Sequence, residues 1–162
     1  MEDSGKPQSP KVELPRGMYP GRLDDKGRLK LAAPFQKYYE NLEEKTLFVT
    51  SLDRRTAALY TLEAWRATEL FLENYSDDPA AGEMTAFIAN QLGSEVEMDG
   101  QGRVLFNSEL RKVVGLEGTE LHLYKYRNHV EVVPHAIYVE LDQRAPLEAG
   151  NALATLKKAK LP

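Results

Sequence analysis

The sequence predicts a β-rich α+β protein built from two copies of one unit, and three observations lead there. The phrase Leu23-Asp24-Asp25-Lys26-Gly27-Arg28-Leu29 returns 75 residues later as Met98-Asp99-Gly100-Gln101-Gly102-Arg103-Val104, both fitting apolar-Asp-x-x-Gly-Arg-apolar. At the same offset Phe35, Tyr38 and Tyr39 stand opposite Leu110, Val113 and Val114, so the likeness runs past the turn into an apolar triplet. Around each turn apolar and polar residues alternate, the period of a half-buried strand. A turn motif recurs readily by itself; a turn and a triplet at one offset point to internal duplication.

Taken in order, residues 1–15 hold three prolines, a glycine and two serines with little apolar periodicity, and a disordered arm is expected. The first unit, 16–61, opens with two short strands between Met18 and Leu31 around Asp24-Asp25-Lys26-Gly27. There Asp bonds nearby amides and Gly accepts positive φ. Leu29 and Leu31 alternate with Arg28 and Lys30, which makes one face of the returning strand apolar and the other basic. Pro34 suits the first turn of a helix, and Phe35, Tyr38, Tyr39 and Leu42 follow at helical spacing. Leu47–Ser51 and Ala57–Thr61 then read as strands.

Residues 62–93 form a helical connector. One helix from Leu62 to Tyr75 places Trp65, Thr68, Leu72 and Tyr75 on one side. Ser76-Asp77-Asp78-Pro79 ends it and caps a second helix, where Ala80, Met84, Phe87 and Ile88 share a face. The second unit, 94–140, repeats the plan. Glu95–Met98 enters the turn and Val104–Phe106 leaves it. Asn107 or Ser108 caps a short helix ended by Gly115, and Arg127-Asn128-His129 turns a final hairpin. A helix from about Ala136 and a lysine-rich tail fill 141–162. Short hairpins are marginal alone, whereas two interlocking copies bury what one cannot.

At 162 residues the chain holds one cored domain or two half-sized units sharing a core. No stretch approaches the roughly 18 apolar residues of a membrane span. The absence of cysteine removes disulfide and thiolate chemistry and suits a cytoplasmic protein. The net charge of −4 is unevenly spread. From Arg16 to Lys30 five basic residues meet two acids, whereas from Leu62 to Glu97 eight acids meet one base. Polyanion binding follows the local field, so the overall acidity does not forbid it.

Enzyme signatures are missing. Asp24-Asp25 and Asp77-Asp78 are adjacent carboxylates whose side chains diverge, a poor geometry for general acid and base. Gly100-Gln101-Gly102-Arg103 lacks the phosphate-loop pattern. The three histidines, His122, His129 and His135, are better explained by a strand surface and a turn than by a metal site, and neither metal nor cofactor is expected.

The two phrases, together with Leu59-Tyr60-Thr61-Leu62-Glu63-Ala64-Trp65 between them and Ser94-Glu95-Val96-Glu97 leading into the second, resemble in order the hallmarks of the MraZ family. The resemblance covers roughly residues 17 to 140. It implies a double swapped-hairpin β-barrel of the AbrB type, assembly into a ring-shaped homo-oligomer, and repression through short direct repeats in double-stranded DNA upstream of a division and cell-wall operon. It places the family's Asp-x-x-x-Arg contact on Asp24 to Arg28 and on Asp99 to Arg103. Two features depart from the family pattern: Leu31-Ala32 and Phe106-Asn107 stand where Ile-Pro is usual, and Lys125 and Arg127 stand where glycines are common.

An arginine just past a glycine turn projects from a hairpin tip, and an Asp four residues earlier can hold its guanidinium. Such a fork takes a pair of phosphate oxygens or the O6/N7 edge of guanine. From one copy, an Asp–Arg pair that only staples the turn is the better reading; duplication and resemblance together favour Arg28 as a DNA contact, with Arg103 in a poorer setting. Lys26, Lys30 and Arg22 are expected phosphate contacts, or else ordinary solvated cations. Asp24, Gly27, Asp99 and Gly102 shape the loops. The expected function is a sequence-specific DNA-binding regulator, nucleoid-associated and without enzymatic activity. Two alternatives stay open: an antitoxin-like AbrB-type protein with a toxin partner, and a structural oligomer whose turns only knit subunits.

Overall fold

A computed structural model of the chain describes residues 12–162. Most of the expected arm thus lies outside the described residues, while Leu14 at its end is 5% exposed and packs into the core.

Among the described residues thirteen elements follow one another: β1 (Tyr19–Gly21), β2 (Arg28–Lys30), α1 (Ala33–Glu40), β3 (Thr46–Thr50), β4 (Ala57–Thr61), α2 (Leu62–Asn74), α3 (Pro79–Leu92), β5 (Ser94–Glu97), β6 (Arg103–Leu105), α4 (Ser108–Val114), β7 (Leu121–Tyr126), β8 (His129–Pro134) and α5 (His135–Lys158). Six strands form one antiparallel sheet in the order β1-β7-β8-β4-β3-β5, and β2 and β6 form a separate ribbon. The barrel implied by the resemblance is therefore not closed. β1 and β5 end the larger sheet without pairing each other, and the ribbon shares no strand pairing with it.

Each copy's first strand pairs with the other copy's third. Tyr19 of β1 lies opposite Leu123 of β7, and Val96 of β5 lies opposite Leu47 of β3. The fourth strands meet at the centre, with Leu59 opposite Val130. Within the first copy the strands flanking the turn touch through a single bridge, Leu23 to Leu29. Strands of three or four residues are marginal by themselves, and in this exchange β1 and β5 pair with the longer β7 and β3. Leu29, Val104, Phe35, Phe106, Leu110, Leu121 and Leu123 meet in the resulting core.

The helices start where local chemistry allows. Pro34 sits in the first turn of α1 with no side-chain cap at Ala32. In the second copy Asn107 does more: its Oδ1 accepts from the Leu110 amide at 2.9 Å, and its Nδ2 donates to the Leu92 carbonyl and the Ser94 hydroxyl. It ties the start of α4 to the end of the connector. Gly115, at φ 76°, closes that helix in the left-handed conformation.

The connector folds back on itself. Thr61 caps α2 through the Ala64 amide, and Asp78 caps α3 through the Ala81 amide. Gly82 lets α3 approach closely, since a Cβ there would sit 2.3 Å from the Leu72 carbonyl oxygen. Trp65 packs between Phe48 and Tyr60, with ring centroids 4.7 and 4.9 Å away. The buried stripe of α3 is Gly82, Ala89 and Leu92, while Met84 and Phe87 of the expected apolar face point to solvent. At the C-terminus one 24-residue helix takes in both the expected helix and most of the expected tail, with Pro146 inside it. Among the described residues no helix is long and apolar enough to cross a membrane.

Candidate nucleic-acid interface

Each repeated phrase folds into the same loop. In the first, the Gly27 amide donates to the Asp24 carbonyl at 3.0 Å and the Asp24 amide to the Arg28 carbonyl at 2.9 Å. Asp24 Oδ1 accepts from the amides of Lys26 and Arg28, at 3.0 and 2.9 Å, and Oδ2 accepts from Arg28 Nε at 2.8 Å. In the second, Asp99 Oδ1 accepts from the amides of Gln101 and Arg103, each at 2.9 Å, and Oδ2 from Arg103 Nε at 2.8 Å. Two sequences sharing only Asp, Gly and Arg thus reach one geometry. Asp supplies the acceptors, and Gly27 and Gly102 supply the positive φ, 83° and 77°.

The electrostatics agree. The Asp24 carboxyl is held below the usual carboxylate range, first by the Arg28 amide and then by its guanidinium, with the Lys26 amide adding to them. Asp99 is held low by the same groups of Arg103 and Gln101. Both acids stay ionised and grip the Nε side of their arginine. Among the described residues, neither Nη atom of Arg28 or Arg103 has a hydrogen-bond partner in the protein. The side chains are 27% and 25% exposed, held at the root and open at the fork.

The ribbon sets both arginines on one face. Leu29 lies opposite Val104, and both are buried, so these side chains point inward. Arg28 lies opposite Leu105 and Lys30 opposite Arg103, all four on the outward face by the strand's two-residue period. Arg28 and Arg103 are diagonal neighbours, about 7–8 Å apart at the backbone. Lys30, Lys26 and Arg22 are exposed, Lys26 at the first loop's tip and Arg22 between β1 and that loop. Gln101 and Leu105 replace Lys26 and Lys30 in the second copy, which leaves that half less cationic.

The loops are also bound to each other. The Gly27 carbonyl accepts from the Phe106 amide and the Gly102 carbonyl from the Leu31 amide, both at 2.9 Å. Two positioning residues were not singled out from the sequence. Gln36 of α1 lies over Gly102, and Arg111 of α4 lies over Gly27. Gln36 donates to the Leu31 carbonyl, and Arg111 donates to the Phe106 carbonyl while also pairing with Glu117. They occupy equivalent places 75 residues apart, which is the one signal that could have found them.

His122, on β7, faces His135 at the start of α5, while His129, which opens β8, bonds Glu131 and stacks on Tyr60.

No family model matches the chain. A transcriptional regulator MraZ from Acidobacterium capsulatum is 32% identical over 139 residues, spanning 86% of this chain and 94% of the relative. The chain belongs to the MraZ family. The transcriptional regulator MraZ of Koribacter versatilis is 38% identical over 64% of this chain and 71% of its own length. That of Acetivibrio thermocellus is 33% identical over 72% and 78%. Asn107 starts α4 with a side-chain cap, its oxygen accepting from the Leu110 amide.

Proposed function

We propose that this chain is a sequence-specific DNA-binding transcriptional regulator, a repressor acting on short direct repeats upstream of its own division and cell-wall operon. Arg28 and Arg103 read or clamp the duplex, and Lys26, Lys30 and Arg22 position it by phosphate contact. What supports this most is the matched pair of loops, in which an ionised Asp holds Nε and leaves two Nη groups pointing outward. That fork suits guanine O6/N7 or two phosphate oxygens. A two-stranded ribbon also fits the major groove of B-DNA, about 12 Å wide. The names of the relatives, transcriptional regulators, agree.

In this reading the exchange of strands between copies is the double swapped hairpin of AbrB-type proteins, and chains assemble into a ring in the cytoplasm, on the nucleoid. One pair of loops binds weakly, and several repeats on one duplex raise avidity through effective concentration.

Fluorescence anisotropy with a duplex from the upstream region, a scrambled duplex and a single-repeat duplex tests the proposal at two salt concentrations. Wild type is expected to prefer the upstream duplex and the repeat array. Arg28→Ala and Arg103→Ala keep their oligomer size and lose that preference. Equal binding to all three duplexes by wild type, or unchanged preference in both variants, overturns it. Loss of the oligomer in Arg28→Ala would favour the structural alternative.

A further inference from the structure

Glu120, His122 and His135 have no part in the proposed DNA contact, yet three elements bring them to one point. Glu120 immediately precedes β7, His122 is the second residue of that strand, and His135 opens α5. The register sets Leu121 opposite Pro134 and His122 opposite Val133, so the residue after β8 arrives beside the start of β7. His122 Nε2 lies 3.0 Å from His135 Nδ1 and 3.2 Å from Glu120 Oε1. His135 Nδ1 lies 3.7 Å from the same oxygen.

Three donor atoms therefore form a triangle with edges of 3.0, 3.2 and 3.7 Å. A tetrahedral ion with bonds of about 2.0–2.1 Å to imidazole nitrogen and carboxylate oxygen holds its ligands about 3.3–3.4 Å apart. The triangle brackets that value. As a hydrogen-bonded cluster the arrangement is poorly matched: two facing imidazole nitrogens share one proton, and the carboxylate oxygen competes for it. A cation at the centre meets all three lone pairs together.

The site is also built. His122 lies flat against Tyr138, with centroids 3.8 Å apart and ring planes 9° apart, and its side chain is mostly buried, which holds the ring in place. Tyr138 stands one turn after His135 on α5, so the helix that brings one ligand also braces the other. Glu120 and His135 are half-exposed, which leaves a path from solvent and room for water as a fourth ligand.

We propose that Glu120, His122 and His135 bind a single late first-row divalent transition ion of the zinc class. Two imidazoles with one carboxylate suit such ions, whereas Mg²⁺ and Ca²⁺ take oxygen ligands. The ion ties the start of α5, a helix with no buried residue, to the main sheet.

The test uses the untagged full chain, stripped with a chelator and titrated first with Co²⁺ and then with Zn²⁺. One ion per chain is expected, with the visible absorption of tetrahedral Co²⁺ appearing and then being displaced by Zn²⁺. At a free Zn²⁺ of 100 times Kd the melting temperature rises by about 5–10 °C. His135→Ala and Glu120→Gln, both at half-exposed positions and checked by circular dichroism, weaken binding by at least ~100-fold. Arg28→Ala leaves metal binding unchanged, so the outcome is independent of the DNA reading. Zn²⁺ affinity equal in wild type and both ligand variants, or no binding by wild type at micromolar Zn²⁺, overturns the proposal.

Discussion

Gly102→Ala tests whether the loop geometry is demanded by the backbone. Gly102 has φ 77°, and a Cβ there would lie 2.1 Å from Gln36 Cδ. The left-handed conformation costs an L-residue about 1–2 kcal/mol. Moving Gln36 aside breaks its 2.6 Å bond to the Leu31 carbonyl, a net loss of about 1 kcal/mol. Together the substitution destabilises by about 2–3 kcal/mol, a fall of about 1–1.5 M in the urea midpoint for a slope near 2 kcal/mol/M. The control lies two residues away. Gly100 has no positive φ and nothing within 4 Å of a built Cβ, so Gly100→Ala stays within about 0.5 kcal/mol of wild type or gains slightly. Urea unfolding of all three proteins at one fixed concentration decides it. Equal midpoints for the two variants would refute the reasoning.

Three further outcomes are expected. Arg28→Lys keeps the charge but removes both the Nε bond to Asp24 and the fork; loss of one bidentate base contact, about 1–3 kcal/mol, weakens specific DNA binding about 5- to 150-fold in an anisotropy titration. The Asp24 and Asp99 carboxyls have lowered pKa values in the fold, so their contribution to the loops is complete above the unfolded carboxylate range and is lost as pH falls through the lower native value. The Arg28 Nε–H resonance should therefore hold steady from pH 7 to about pH 4 and change only below that, whereas Asp24→Asn shifts it already at neutral pH. Asn107→Ala removes the α4 cap and the side-chain bonds to the Leu92 carbonyl and the Ser94 hydroxyl and costs about 1–2 kcal/mol in chemical denaturation, against near-neutrality for exposed Asn90→Ala.

The sequence by itself determined what depends on neighbours along the chain. The Asp-x-x-Gly-Arg spacing dictates the turn, because the carboxylate must reach amides two and four residues on and Gly must take positive φ. The stripe of Phe35 and Tyr39 dictates a helix with one buried face. The 75-residue offset sets Asp24, Gly27 and Arg28 against Asp99, Gly102 and Arg103, and the two loops fold alike. Tertiary structure decided everything that depends on partners across the chain. Backbone donors and acceptors are the same on any strand, so pairing of β1 with β7 and of β5 with β3 follows from where apolar faces find cover. For the same reason the barrel could not be read as open, nor Met84 and Phe87 as solvent-facing, until Gly82 had drawn α3 against α2. Arg111 over Gly27 and His135 beside Glu120 and His122 carry no local signature at all. Long-range packing places them, and only there do side chains far apart in sequence come within bonding distance.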